Sequence, residues 1–183
     1  MKNLYYLRHG KSIANDQGVW SGATNTPLSL QGIEDANEAG KRAAAGQLIP
    51  DLIICSPLDR AAKTAAIIAH YVGYPVDKIL TDARIVERSF GELEGTPIID
   101  KLPVWSDYIK LDSIPTVEKL EHVQERAQKF YDDVLKMPQE TILVVGHGAF
   151  GRALRRVIAG IPYTAEYDKE YNGILNAEII KLV

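Results

Sequence analysis

The chain has 183 residues, 46% of them hydrophobic and 25% charged, which is the composition of one ordinary globular domain. Its formal net charge of -3 argues against nucleic acid or an anionic membrane as a partner, because no global positive field attracts phosphate polymers. Any phosphate site must therefore be a local cluster of basic groups, and no apolar stretch is long enough to cross a bilayer.

The cysteine content and the first residues indicate the compartment. The single cysteine, Cys55, excludes an intramolecular disulfide and lies in an apolar run, so a small buried side chain is favoured over a catalytic thiol. Charge interrupts residues 1–8 too early for a secretory signal, and we expect a cytoplasmic protein. No repeat or Gly/Ser-rich linker divides the sequence, so we expect one domain over residues 1–183, of undetermined oligomeric state.

Short apolar runs predict the strands. Three of them, Leu4 to Leu7, Leu52 to Cys55 and Ile142 to Val145, do not alternate polar with apolar residues, which is typical of parallel strands buried on both faces. A fourth run, residues 177–183, predicts a closing strand.

Helical patterns lie between these runs. Ser29 precedes an apolar stripe that ends at Ala43, and Ser56 followed by Pro57 predicts the N-terminus of a second helix. Further stripes at residues 120–134 and 150–158 have the spacing of a buried helix face. Strands alternating with helices predict a three-layer α/β/α domain with a mostly parallel central sheet.

Residues 90–116 show no such period and contain three prolines together with Trp105 and Tyr108. We interpret this region as a small insertion over the sheet edge, a candidate lid that would influence substrate choice. An irregular surface connection is the alternative.

Each of the first three strands ends in polar residues. Arg8 and His9 follow the first strand, Arg60 lies shortly after the second, and His147 follows the third. Because ligands of open α/β sheets bind beyond the carboxyl ends of parallel strands, we expect these four side chains to converge.

Such a cluster suits a phosphate. Guanidinium groups match phosphate oxygens, and Gly148 lets the backbone approach an anion at the start of a helix. A neutral imidazole can attack phosphorus, and a second imidazole can donate a hydrogen bond to the transferring oxygens. Zinc is the competing use of His9 and His147, but close-spaced ligand pairs are missing and Arg8 would oppose a cation, so we expect no metal.

Five blocks of residues, in this order along the chain, resemble the histidine phosphatase superfamily, which includes the phosphoglycerate mutases and many small phosphatases. They are Leu7-Arg8-His9-Gly10-Lys11-Ser12 with Asn15, Thr26-Pro27-Leu28-Ser29 with Gly32, Ser56-Pro57-Leu58-Asp59-Arg60-Ala61, residues 87–95, and Val145-Gly146-His147-Gly148 with Arg152. Lys11 stands where the family often has Glu.

The resemblance implies roles at the matching positions, without a metal or organic cofactor. His9 would be the phosphorylated nucleophile, Arg8, Arg60 and His147 would hold the phosphoryl group, and Glu87 would donate a proton to the leaving oxygen and then activate water. The substrate would be a small phosphorylated metabolite, and its further contacts would come from Ser12, Asn15, Ser21, Gly22, Arg88 and the Gly148 backbone.

The same phosphohistidine serves phosphatases and mutases. Ser21-Gly22 and Glu87-Arg88 are similar to mutase motifs, but Ile98 lies near the position of the mutases' substrate lysine. No arginine occurs between Arg88 and Arg126, so a doubly anionic phosphoglycerate would lose much of its clamp, unless Lys101 or Lys110 substitutes. Phosphatase is therefore favoured over mutase, and an inactive phosphate-binding module is a third hypothesis.

Overall fold

The computed structural model describes residues 2–98, 110–162 and 173–183, and in these ranges five strands form one sheet. The strands are β1 Asn3–Arg8, β2 Leu52–Cys55, β3 Leu80–Thr81, β4 Thr141–Gly146 and β5 Ile179–Lys181. Their order across the sheet is β3-β2-β4-β1-β5, and only the β1–β5 pairing among them is antiparallel. The expected mostly parallel sheet is confirmed.

The described α-helices are α1 Ile13–Gln17, α2 Leu30–Ala45, α3 Asp59–Val72, α4 Leu120–Lys136 and α5 Gly148–Ile158. Short 3-10 turns lie at Val76–Lys78, Ala83–Ile85, Gly91–Leu93 and Leu111–Ser113. No described helix has both the length and the apolar character that a membrane crossing requires.

Alternate side chains of the central strand pack into two cores, one on each face of the sheet. Ile142 and Val144 contact the cluster that contains Phe130 of α4 and Phe150 of α5. The intervening Leu143 and Val145 belong to a second cluster with residues of α2 and α3. Because successive strand residues point to opposite faces, a strand covered on both sides must be apolar throughout, and the predicted three-layer fold follows.

The start of α3 corrects one sequence prediction. Ser56 is not the N-cap, because the helix begins at Asp59 and Leu58 occupies the cap position without a side-chain hydrogen bond. Ser29, in contrast, caps α2 as expected, and its hydroxyl accepts from Gly32 N–H at 3.1 Å.

The remaining differences are small. The two-residue edge strand β3 and the five-residue helix α1 are too short to show a period, and the sequence did not predict them. Cys55 is buried as expected, and burial raises the pKa of its thiol to about 11. The first part of the predicted insertion pairs with residues near Trp20, whose N–H donates to Thr96 C=O at 3.0 Å. Lys101, Pro103, Trp105 and Tyr108 lie outside the described residues.

Candidate active site

His9 and His147 lie side by side at the carboxyl edge of the sheet. The strand register pairs Arg8 with Gly146, so the residues that follow each strand become neighbours. The two ring centroids are 4.9 Å apart, and the residues are 4% and 0% exposed. The predicted convergence of the two imidazoles is confirmed.

A main-chain carbonyl determines the tautomer of His9. Its Nδ1 lies 2.6 Å from Gly10 C=O, and because a carbonyl only accepts, Nδ1 must carry the hydrogen. Nε2 therefore holds the lone pair. Burial, with Arg60 and Arg8 nearby, keeps the pKa of His9 well below its ordinary value. A neutral imidazole with a free lone pair on Nε2 is the form that can attack phosphorus.

The imidazole of His147 is oriented by the hydroxyl of Ser56. Its Nε2 lies 2.8 Å from Ser56 Oγ, and that oxygen also accepts from Leu58 N–H at 3.3 Å. Since Leu58 supplies a hydrogen to Oγ, the Ser56 proton can point to Nε2, which leaves the ring hydrogen on Nδ1. This Nδ1 is buried without a hydrogen-bond partner among the described residues, so it could donate to a phosphoryl oxygen. Burial, followed by the neighbouring His9, Arg60 and Arg8, lowers the pKa of His147.

The main chain of His147 is fixed by Tyr6 of β1. The Tyr6 hydroxyl donates to His147 C=O at 2.7 Å and accepts from His147 N–H at 2.7 Å. Burial, and secondarily the charge of Glu87, raises the pKa of Tyr6, so the phenol stays neutral and keeps the hydrogen it donates.

The two predicted phosphate-binding arginines are both anchored by carbonyl groups. Arg8 donates to Ile174 C=O at 2.8 Å, and the almost completely buried Arg60 donates to Thr24 C=O at 2.9 Å and Gly22 C=O at 2.7 Å. Fixed guanidinium groups lose little conformational freedom when they bind an anion.

Glu87 lies at the N-terminus of α5, beside the cluster of basic groups. A Cβ atom on Gly148 would lie 3.5 Å from both the Arg8 guanidinium and Glu87 Oε2, so these three groups are contiguous. The carboxylate accepts from Gly148 N–H at 2.9 Å, from Ala149 N–H at 2.9 Å and from Arg88 N–H at 2.9 Å. A helix N-terminus is also the place where a phosphate oxygen is stabilised, so substrate and Glu87 would compete for these donors.

Several predicted substrate contacts have protein partners in this structure. Ser12 and Asn15 form a reciprocal capping box on α1, with hydrogen bonds of 3.0 and 3.2 Å. Ser21 Oγ lies 3.2 Å from Thr26 Oγ1. Lys11, which stands where the family often has Glu and was not predicted to bind substrate, forms a surface ion pair with Asp16 at 2.6 Å.

Arg88, another predicted substrate contact, is buried against other protein groups. Its side chain is 0% exposed, forms an ion pair with Asp112 and donates to Glu118 C=O at 2.7 Å. Glu118 in turn pairs with Arg126 at 2.9 Å. A buried guanidinium that already neutralises a carboxylate is poorly placed to hold an anionic substrate, so these contacts do not support the predicted substrate role of Arg88.

Sequence reasoning missed the residues that orient the two histidines. Tyr6 and Ser56 hold His147, while Asn176 donates from Nδ2 to His9 C=O at 2.8 Å and Ala177 N–H donates to Arg8 C=O at 2.9 Å. The sequence places Tyr6 in a strand and Ser56 at a helix start within a family motif, and neither pattern indicates a contact with His147. Among the described residues, no group of three or more His, Cys, Asp or Glu side chains could hold a metal ion.

Comparison with known proteins bears on this arrangement. The family model of the histidine phosphatase superfamily (branch 1) matches residues 4–182. The uncharacterized phosphatase PhoE of Bacillus subtilis is 33% identical over 161 residues, which cover 87% of this chain and 79% of that protein. A 2,3-bisphosphoglycerate-dependent phosphoglycerate mutase of Brucella melitensis is 29% identical over 170 residues, which cover 87% and 82% of the two chains.

Solved structures show the same fold. A phosphoserine phosphatase variant from Entamoeba histolytica has a TM-score of 0.75 at 22% identity, and the superposition covers 98% of this chain and 89% of that one. At this level of identity the likeness supports the shared architecture alone.

Proposed function

This chain belongs to the histidine phosphatase superfamily (branch 1), and we propose that it acts as a phosphatase that hydrolyses a small phosphorylated metabolite through a phosphohistidine on His9. The observation that carries the proposal is the pair of buried imidazoles, with ring centroids 4.9 Å apart, in which His9 Nδ1 is committed to a carbonyl. We assign the activity to one domain over residues 1–183, in the cytoplasm.

In the first half-reaction, the lone pair on His9 Nε2 attacks phosphorus while the bond from phosphorus to the ester oxygen breaks. Arg8, Arg60 and His147 stabilise the negative charge on the transferring oxygens. Glu87, displaced from the N-terminus of α5 by the phosphoryl group and carrying a proton, gives that proton to the leaving oxygen. The alcohol departs, and the phosphoryl group is bonded to Nε2.

In the second half-reaction, water attacks the same phosphorus. The Glu87 carboxylate takes a proton from this water, the new phosphorus–oxygen bond forms, and the bond from phosphorus to Nε2 breaks. Inorganic phosphate is released, His9 is neutral again, and Glu87 is protonated for the next cycle. Neither half-reaction requires an oxidant, a reductant or a metal ion.

The mutase alternative uses the same first step but returns the phosphoryl group to a substrate hydroxyl. The ion pair between Arg88 and Asp112 weighs against it, because it neutralises a cation that could bind the carboxylate of a phosphoglycerate. Ile98, near the expected position of a substrate lysine, supplies no replacement charge.

The test is a phosphate-release screen over sugar phosphates, phosphorylated hydroxy acids and nucleotides. Product analysis of the phosphoglycerate samples separates hydrolysis from isomerisation: free phosphate with glycerate supports a phosphatase, and interconverted phosphoglycerates without free phosphate would establish a mutase. Tight vanadate binding with no turnover on any compound would indicate an inactive binding module.

His9→Ala should abolish turnover and remove an acid-labile phosphoryl label from the protein. The control is His70→Ala, which removes an exposed imidazole of α3 and should leave both readouts unchanged. Activity above a trace in His9→Ala would exclude His9 as the nucleophile.

A further inference from the structure

The carboxylate of Glu94 accepts an unusual number of hydrogen bonds that the proposed reaction does not explain. Its Oε1 accepts from Ala23 N–H at 2.8 Å and from Phe90 N–H at 3.0 Å. Its Oε2 accepts from Gly22 N–H at 3.2 Å, from Thr24 N–H at 3.0 Å and from the Thr24 hydroxyl. One side chain thus binds three successive N–H groups of the segment from Gly22 to Thr24.

Arg60 binds the same segment through its carbonyl groups. The guanidinium donates to Gly22 C=O at 2.7 Å and to Thr24 C=O at 2.9 Å. The segment from Gly22 to Thr24 is therefore bound from two sides. The Glu94 carboxylate accepts from its N–H groups, and the Arg60 guanidinium donates to its C=O groups. Because a guanidinium carries five N–H groups, these two bonds leave others that can bind phosphoryl oxygens.

The segment has little room to shift. A Cβ atom at Gly22 would lie 1.9 Å from Arg88 C=O oxygen and 2.9 Å from Glu94 Oε1, so only glycine permits this close approach. A small displacement of Gly22 would consequently move the carbonyl that orients Arg60.

The charge of Glu94 is stabilised in place. Partial burial alone would raise its pKa, but the hydrogen bond from the Thr24 side chain and the N–H groups of Phe90, Thr24 and Ala23 outweigh burial and lower it. Glu94 is thus an anion at neutral pH, and an anion binds N–H donors more strongly than a neutral amide does.

We propose that Glu94 is a positioning residue, which holds the segment from Gly22 to Thr24 so that its carbonyls aim the Arg60 guanidinium at the phosphoryl group. This inference rests on the proposed function, because it assumes that Arg60 binds the transferring oxygens. Glu94 itself touches no reacting atom and acts through Arg60.

Glu94→Gln tests the inference, with Glu92→Gln as the matched control. The control makes the same substitution two residues away, at an exposed side chain. We expect Glu94→Gln to weaken vanadate binding and lower kcat/KM by about 10- to 100-fold, because a misaimed binding group costs this much. Glu92→Gln should match the wild type. Vanadate affinity is measured on protein whose folded state has been verified by circular dichroism, so a lower stability without unfolding would leave the affinity unchanged.

A double-mutant cycle identifies the route of the effect. If Glu94 acts through Arg60, then Glu94→Gln should add little to the loss already caused by Arg60→Lys. If the fold-losses in kcat/KM of the two single variants instead multiply in the double variant, the inference is overturned. Wild-type vanadate affinity in Glu94→Gln would also overturn it. Should Glu94→Gln fail to fold, Thr24→Val removes only the hydroxyl donor and should show a smaller loss of the same kind; no loss there would also count against the inference.

Failure of this inference is distinguishable from failure of the proposed function. If the wild type releases phosphate but the Glu94 and Glu92 variants behave alike, only the positioning role is excluded. If the wild type hydrolyses no phosphomonoester, the proposed function itself fails.

Discussion

The hydroxyl of Tyr6 bridges the main-chain N–H and C=O of His147, at 2.7 Å to each. The two residues are 141 positions apart in the chain: Tyr6 lies on β1, and His147 directly follows β4, which pairs with β1 in parallel. His147 directly precedes the N-terminus of α5, so this contact fixes the point where the second imidazole and the first helical N–H groups emerge.

Tyr6→Phe should lower the free energy of unfolding by about 1–3 kcal/mol, because it leaves a buried N–H and C=O without their partner. Vanadate affinity should fall as well, since the anion-binding end of α5 loses its support. Urea titration and vanadate titration measure the two effects. Tyr5→Phe is the control, as Tyr5 lies next in the strand and its ring contacts Lys181 at 6.0 Å rather than the site. If Tyr6→Phe and Tyr5→Phe have the same free energy of unfolding and the same vanadate affinity, the Tyr6 hydroxyl does not stabilise the main chain of His147 as predicted.

The position of Glu87 predicts two opposite effects of Glu87→Gln. Turnover of alkyl phosphates should fall by about 10²- to 10⁴-fold, the usual contribution of a proton donor, while aryl phosphates with good leaving groups should lose less. Inorganic phosphate should bind roughly 10-fold more tightly, because the competing negative charge at the helix N-terminus is gone.

Leaving-group dependence and phosphate inhibition constants measure these effects separately. Equal slowing for alkyl and aryl substrates would exclude Glu87 as the general acid. Weaker phosphate binding in the variant would show instead that the carboxyl group assists the anion.

The two buried imidazoles predict how stability depends on pH. In the folded protein the pKa of His9 and that of His147 lie well below the unfolded value of about 6.5, so the unfolded chain binds protons first as the pH falls. The contribution of these imidazoles to the free energy of unfolding should therefore be fully present above about pH 6.5. Below that pH the free energy of unfolding should decrease, by up to about 1.4 kcal/mol per pH unit for each imidazole.

Urea unfolding between pH 7 and pH 5.5 measures this slope before most carboxylates titrate. His9→Asn should remove about half of the slope, whereas His70→Asn, at an exposed position of α3, should preserve it. An unchanged slope in His9→Asn would mean that His9 does not fold as a buried neutral group.

Local patterns in the sequence were sufficient for the architecture and for the meeting of the main site residues. Apolar runs of strand length mark segments buried on both faces, and parallel strands bring their carboxyl ends to one edge. For this reason the sequence alone predicts that His9 and His147 lie together, and its ordered motifs indicate the family. The edge strand β3 escaped prediction because two residues carry no period.

Hydrogen-bond partners were decided only in three dimensions. Ser56 has the composition of a helix cap, yet its hydroxyl orients His147; Arg88 matches a substrate-binding motif, yet it is buried against Asp112. Glu94 reads as one more surface acid until folding brings the segment from Gly22 to Thr24 against it. Burial can be predicted from the pattern of apolar residues along the chain. A hydrogen bond depends on the distance and angle between groups that are remote in sequence, and only the packed structure sets these.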